Sequence, residues 1–552
     1  MIKLLQDWVT DRASESPDRV AVTCSVETLT YGELDAASNR LARTLREAGA
    51  RAGDRVGLLL PKSCRAVTAL LAAYKADCIA VPLEPTGPAP RLVKILEAAE
   101  PSILLACEKT TALLDATLAS SAAVRRDTRV GVVSPGALEG EQFRSVFSGS
   151  DVERSPDRAL EYRAGSDAVA HLLFTSGSTG VPKGVQITHA NVIHFVSWGV
   201  CYFGIDDADR VSGLSPLQFD LSTFDIFGAF AGGAELHLVP PELPLIPLEL
   251  AEFIRSHRLT QWFSVPTVLN YIARFDAVRR GDFPELERVM WCGEVLPTTS
   301  LIYWMERLPH VRFTNLYGPT ETTVASSYYT VPSLPRDEQA QIPIGAGCDG
   351  EELLVLDAEL RPVPPEEIGE ICIRGVGLSP GYWGDAEKTQ AAFPPDPSSS
   401  DPSARLYRTG DLGRVGVDGL VYFLGRVDSQ VKSRGYRIEL GEVEAALHAV
   451  PGVRECAVSA IETGGFEGAI LCCAYAPSPG IDLEPTALRR ELGKALPGYM
   501  LPLRWRSLPR LPRNSNGKID RRALREEFQR DAAGAQGEPR GHRAGGEMAV
   551  RG

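Results

Sequence analysis

Four short stretches of this chain carry side chains suited to phosphate, a flat base, a sugar diol and a hard cation. The first is FTSGSTGVPKG, residues 174–184, after the apolar run VAHLLF. Small residues there let backbone N–H groups approach anionic oxygens. Thr175, Ser176, Ser178 and Thr179 add hydroxyl donors, Gly177 and Gly180 keep the loop tight, and Lys183 adds charge. A plain surface turn is the alternative. The loop is not of the Walker type, because Lys183 stands between Pro182 and Gly184 and no hydroxyl follows it. The second stretch is NLYGPTETT, from Asn315. Tyr317 offers a face for a base, Asn315 an amide able to read an exocyclic amine, Thr320 a hydroxyl, and Glu321 a hard oxygen suited to Mg2+. A Gly318–Pro319 turn with a capping threonine is the plainer reading. In the third, YRTGDLG, a tight Thr-Gly-Asp turn presents Asp411 as a carboxylate able to grip two ribose hydroxyls. In the fourth, LPRNSNGKID, Lys518 projects from an Asn-Gly turn.

The elements that must position these groups read as α/β. VAVTCS, RVGLLLP and CIAVPLEP are strand-like, and YGELDAASNRLARTLREAG and SCRAVTALLAAYKA are helical. Helices alternating with apolar strands predict a largely parallel sheet. Asp418-Gly419 marks a hairpin between GRVG and LVYFLG. Further on, a helix at ELGEVEAALHAV, strands at ECAVSAI and AILCCAYA, and a helix at PTALRRELGKAL predict a small α+β unit. Residues 394–405 read as a Pro/Ser surface loop, and 531–552 as a disordered Gly/Ala-rich tail.

The chain has 552 residues, 44% hydrophobic and 23% charged, enough for several domains with a large core. Its net charge of −13 argues against bulk nucleic-acid affinity, though not against a local basic pocket. Eleven scattered cysteines without a CxxC predict reduced thiols. With no signal-like start and no bilayer-length apolar run, the expectation is a soluble, cytoplasmic protein with no membrane partner.

Taken in order, TSGSTGVPKG, NLYGPTET, YRTGDLG, GRVDSQVKSRGYRIE and NGKID resemble the adenylate-forming superfamily over about residues 1–527. That group includes acyl-CoA synthetases, luciferases and nonribosomal peptide synthetase adenylation domains. The resemblance implies a large core domain at 1–427, a mobile C-terminal lid at 428–530, and a hinge at Asp428. It also implies ATP and Mg2+. A carboxylate attacks the α-phosphorus, pyrophosphate leaves, and a thiol then displaces AMP. By the same resemblance, Lys518 bridges the substrate carboxylate and the α-phosphate. Thr175 to Lys183 hold the outer phosphates, Glu321 holds Mg2+, and Thr320 touches phosphate. Asn315, Tyr317 and the backbone around Gly293 hold adenine, Gly318 is a further ATP-binding residue, and Asp411 holds ribose with Arg426 nearby. Without the resemblance, Arg426 reads as a surface ion pair with Asp428. Lys518 and RGYRIE are expected on opposite faces of the lid, exchanged by rotation.

The acid to be activated is read from SPLQFDLSTFDIFGAFAGG. Ser222 and Asp225 match an S-x-x-D capping box, which leaves Asp220, after Phe219, without a structural role. In amino-acid-activating members an aspartate here pairs with the α-ammonium. A second, redundant cap is the alternative. Alignment of the motifs makes Leu221, Phe224, Phe263, Met290, Cys292, Leu316, Val324 and Ala325 the pocket lining. None is charged, so the substrate side chain should be small and apolar. The set is similar to that of prolyl-carrier-protein ligases, with L-proline the best fit and alanine, valine and small β-amino acids still open. Ordinary core packing of Phe224 and Phe263 is the alternative. Few residues follow NGKID and no condensation motif appears, so the expected partner is a separate phosphopantetheinylated carrier protein. An acid-CoA ligase of the same superfamily is the other reading.

Overall fold

The computed structural model describes residues 4–25, 27–177, 180–426, 430–462, 469–513 and 519–536. Among these, a seven-stranded sheet runs in the order Ser145–Phe147, Arg129–Val132, Ile103–Ala106, Arg55–Leu58, Ile79–Pro82, Val169–Thr175, Lys183–Thr188. Neighbours are parallel except the last pair, which is antiparallel. The loop between Thr175 and Lys183 therefore turns the chain back along the same sheet rather than into a helix.

A nine-stranded sheet has a parallel centre, from Val20–Cys24 through Glu235–Leu238, Arg210–Gly213, Gln261–Ser264 and Arg288–Trp291 to Arg312–Tyr317, with antiparallel edges. Its strands are buried on both faces, as parallel strands covered by helices must be. The helix Tyr31–Glu47 begins with a capping box between Thr30 and Glu33, and Cys64–Lys75 is buried along nearly its whole length. This mainly parallel, helix-flanked arrangement is the one read from the sequence.

A four-stranded antiparallel sheet, Glu351–Leu356, Gly369–Gly375, Tyr407–Val415 and Val421–Arg426, was not foreseen as a unit. It corrects the reading of Asp411, which lies inside a strand directly opposite Arg426 rather than in a tight turn. The Asp418-Gly419 hairpin is present, with Gly419 at φ +78.

From Gln430 onward the elements are α+β. A two-stranded hairpin, Gln430–Ser433 and Tyr436–Glu439, precedes the helix Leu440–His448. A three-stranded sheet, Val453–Glu462, Ala469–Pro477 and Arg504–Ser507, packs with Pro485–Leu492 and Arg521–Gln536 around its own apolar clusters. That last helix corrects the tail reading, because residues 531–536 are helical. Burial of Leu524 and Phe528 anchors it. No cysteine forms a disulfide, and among the described residues no helix is long and apolar enough to cross a membrane.

Candidate active site

Parallel sheets collect ligands beyond the carboxyl ends of their strands. Here Val265, Cys292, Gly293 and Gly318, each just past such an end, line a cleft of about 870 Å³, open solvent included. Thr175, Ser176, Phe219, Asp220, Leu221, Thr320, Asp411 and Arg426 complete much of its wall. Lys432, Gly435, Tyr436 and Arg437 enter it from the small unit.

Glu321 is the electrostatic centre. It is fully buried, and its Oε2 accepts from Arg437 Nη1 at 2.6 Å. Tyr382 donates its hydroxyl to Oε1 at 2.9 Å, and Lys183 Nζ lies 3.7 Å from the same oxygen. Burial alone would raise this carboxyl, but Arg437 and Lys183 outweigh it and hold it down to about 2. Lys183, itself desolvated, is lowered in spite of Glu321. A deprotonated buried carboxylate beside the Thr320 hydroxyl is a donor set that fits Mg2+. In the orientation described, Arg437 provides the positive charge instead.

The ribose candidate is also assembled. Arg426 pairs with Asp411, and the Tyr317 hydroxyl donates to the other Asp411 oxygen at 2.6 Å. Burial pushes the Tyr317 phenol well up, so it stays a donor. Asn315 donates from Nδ2 to the Pro343 carbonyl at 2.8 Å, which orients its amide. In the glycine-rich loop the Ser176 hydroxyl donates to the Arg437 carbonyl at 2.8 Å. The Thr175 hydroxyl is buried with no hydrogen-bond partner among the described residues. A Cβ on Gly177 would meet the Val181 carbonyl oxygen at 2.0 Å, so only glycine closes this loop. The Gly180 carbonyl accepts from Lys94 Nζ at 2.8 Å.

Asp220 does not cap a helix. The helix spans Leu221–Gly232, and Asp220 occupies its N-cap position without a side-chain capping bond. Its carboxylate instead accepts from the Thr320 hydroxyl at 2.7 Å. Burial raises its pKa against the lowering effects of Thr320 and Lys432. The Ser222–Asp225 capping box is absent, because the helix begins before Ser222. Ser222 donates to the Phe219 carbonyl at 2.7 Å, and Asp225 is buried, accepting from the Ser215 N–H at 3.4 Å.

Of the alignment-derived pocket, Leu221 and Cys292 line the cleft. Phe224, Phe263, Met290, Leu316, Val324 and Ala325 belong to the same apolar cluster as those two and are almost completely buried. Thr323 and Val324 sit at φ +63 and +66, a conformation hostile to β-branched residues. The Thr323 hydroxyl, donating to the Gly377 carbonyl at 2.8 Å, holds this strained turn beside the site. Ser178, Thr179, Asp428 and Lys518 lie outside the described residues. Sequence reasoning assigned no role to Tyr382, Arg437 or Lys432. Arg437 and Lys432 stood inside a quoted motif, while Tyr382, 61 residues from Glu321, gave no local signal.

These features meet in a mainly parallel α/β core, with a cleft at its strand ends and side chains of a small α+β unit lining it. A family model described as AMP-binding enzyme matches residues 9–383, and one described as AMP-binding enzyme C-terminal domain matches 442–518. The chain belongs to the AMP-binding enzyme family. It is 37% identical over 500 residues to the L-proline--[L-prolyl-carrier protein] ligase of Streptomyces coelicolor, covering 90% of this chain and 91% of that protein. It is 33% identical over 520 residues to tyrocidine synthase 3 of Brevibacillus parabrevis, covering 94% of this chain but only 8% of that much longer protein. Among solved structures, the Vibrio cholerae adenylation domain AlmE, in complex with glycyl-adenosine-5'-phosphate, superposes with a TM-score of 0.80. It is 25% identical, with 95% of this chain and 97% of that one covered.

Proposed function

We propose that this chain activates an amino acid as aminoacyl-AMP, releasing pyrophosphate, and passes the aminoacyl group to the phosphopantetheine thiol of a carrier protein. The observation that carries the amino-acid assignment is Asp220. It is a carboxylate on the cleft wall whose one hydrogen-bond donor among the described side chains is a neutral hydroxyl. A partly desolvated carboxylate is stabilised by a cation, and a substrate α-ammonium supplies one. L-proline is the substrate we favour, supported by the apolar residues around Leu221 and Cys292 and by the similarity to the Streptomyces ligase.

In this reading Thr175, Ser176 and Lys183 bind the outer phosphates, and Glu321 is the Mg2+ ligand. When bound, Mg2+ neutralises charge that develops on the phosphates. Asp411, oriented by Arg426 and Tyr317, receives the ribose hydroxyls. Thr320 links the two halves of the site, because its hydroxyl touches Asp220 while its neighbour Glu321 faces the cations. Lys518 is assigned the bridging charge of the first step by resemblance, and Asp428 the hinge between a core at 1–427 and a lid at 428–530. Arg437 on Glu321 makes the described orientation incompatible with a metal held at the same oxygens, so we assign it to thiol transfer.

The test is an ATP–pyrophosphate exchange panel over proteinogenic and common nonproteinogenic amino acids. A response to proline or another small apolar amino acid is expected. Exchange driven only by acids lacking an α-amino group, with product formation dependent on free CoA, would establish the acid-CoA ligase reading instead.

A further inference from the structure

A second ion pair joins the two units on the wall of the same cleft, which Arg91 and Tyr499 also line. Arg91, in the helix Ala89–Ala99 of the large unit, pairs through Nη1 with Glu442 in the helix Leu440–His448 of the small one. Their side chains are only 9% and 3% exposed. Both lie in the first turn of their helices. That is a favourable place for Glu442, because a helix N-terminus attracts negative charge. For Arg91 it is the wrong end, and its helix has no acidic residue in the first turn to offset it. Within the large unit Glu84 lies close enough to interact with Arg91 through space, but the carboxylate that pairs directly with the guanidinium comes from the other unit.

The surroundings are built to match. Met500 Sδ lies 3.8 Å from the same guanidinium nitrogen. Tyr436 stacks on Tyr499 at 3.7 Å and 10°, and the edge of Phe219, next to Asp220, meets Tyr436 at 5.1 Å and 78°. The second Glu442 oxygen is buried without a hydrogen-bond partner among the described residues, and Arg91, followed by Lys94, compensates the charge. When the small unit turns away, the contact is lost and both charges return to water. The pair therefore contributes to one orientation only, the one in which Arg437 reaches Glu321.

We propose that Arg91 and Glu442 are positioning residues that latch the small domain for thiol transfer and take no part in adenylate formation. The proposal rests on the two-step reading above. Interdomain couplings of this kind change an equilibrium roughly 5- to 150-fold.

Glu442→Gln keeps the shape and a hydrogen-bond acceptor while removing the charge, and Arg91→Lys keeps the charge but not the fork. Two rates are compared. One is pyrophosphate exchange with the amino acid that wild type prefers. The other is single-turnover transfer from the preformed aminoacyl-adenylate to free phosphopantetheine. Glu442→Gln should slow transfer about 10- to 100-fold and leave exchange within about twofold, with Arg91→Lys intermediate. Orientation is read separately by pulsed electron resonance between spin labels, in a Cys24→Ser background. One label is on the exposed native Cys201, the other on Arg490→Cys, a lid position with a side chain 75% exposed. The population at the described separation should shrink in Glu442→Gln. Equal loss of both rates, or an unchanged distance distribution, overturns the latch. If Glu442→Gln does not fold, Arg91→Lys is judged by the same two criteria. If wild type shows no amino-acid-dependent exchange, the functional reading fails, and the spin-label distances still decide the latch.

Discussion

Replacing Asp220 by alanine separates the amino-acid reading from its rival. In the structure this carboxylate is held at the cleft wall by one hydroxyl, Thr320, at 2.7 Å, and burial raises its pKa. A bound α-ammonium would convert an unfavourable desolvated charge into an ion pair. Removing one partner of such a pair costs about 3 to 5 kcal/mol when the site is dry. Because Asp220 keeps some surface toward the cleft, the lower end applies, about 3 kcal/mol, or roughly two decades in kcat/KM. Loss of the Thr320 hydrogen bond adds about 1 kcal/mol that has nothing to do with the ammonium. A des-amino analogue of the preferred amino acid separates the two contributions. Wild type should activate it poorly, since Asp220 is then left without the ammonium, with only the through-space charge of Lys432. In Asp220→Ala both substrates share the Thr320 defect, so only the ammonium interaction survives the double comparison. The assay is adenylate formation, followed as pyrophosphate release at subsaturating acid, with the KM for ATP as a control. Selectivity for the amino acid should collapse about a hundredfold while the KM for ATP moves little. Undiminished selectivity in Asp220→Ala would refute the assignment, and the acid-CoA ligase reading would replace it.

Three further outcomes are expected. Lys518→Ala should abolish most adenylate formation yet spare transfer from a supplied aminoacyl-adenylate; equal loss in both assays would make the lysine structural. Arg437→Ala removes the closest cation from Glu321, so transfer to the thiol should fall at least tenfold more than exchange does; equal losses would mean the Arg437–Glu321 pair is not specific to the transfer orientation. Glu351, half-buried with one oxygen on the Gly377 N–H and the other buried without a partner among the described residues, is pushed up to about 7 by that burial. An acid whose folded pKa is raised binds more protons folded than unfolded, so stability falls as pH climbs from about 4.5 to 7. Glu351→Gln should recover about 2 to 3 kcal/mol at pH 8 and almost nothing at pH 4, read from urea midpoints; a pH-independent gain would mean the charge is not the cause.

Local pattern made much of this protein legible from its residues alone. Alternating apolar strands and amphipathic helices implied the parallel core, because the 2.0 and 3.6 periodicities are properties of the backbone. The helices at Tyr31–Glu47 and Cys64–Lys75 and the hairpin at Asp418-Gly419 fall where their residues suggested. Contiguous motifs such as NLYGPTET also located the chemistry, since a loop that holds phosphate or base needs its groups within a few residues. What the sequence could not decide were relations between distant segments. Asp411 reads as a turn residue locally, yet a four-stranded sheet sets it opposite Arg426 within a strand. Ser222 and Asp225 have the spacing of a capping box, but the helix starts earlier, because packing of Leu221 and Phe224 into the core outweighs a local cap. The partners of Glu321 come from residues 183, 382 and 437, and only folding brings those charges into one dry volume. Arg91 shows the point most plainly. At the wrong end of its own helix, its direct ion-pair partner is a carboxylate 351 residues away in the small unit, because Coulomb attraction depends on distance in space rather than along the chain.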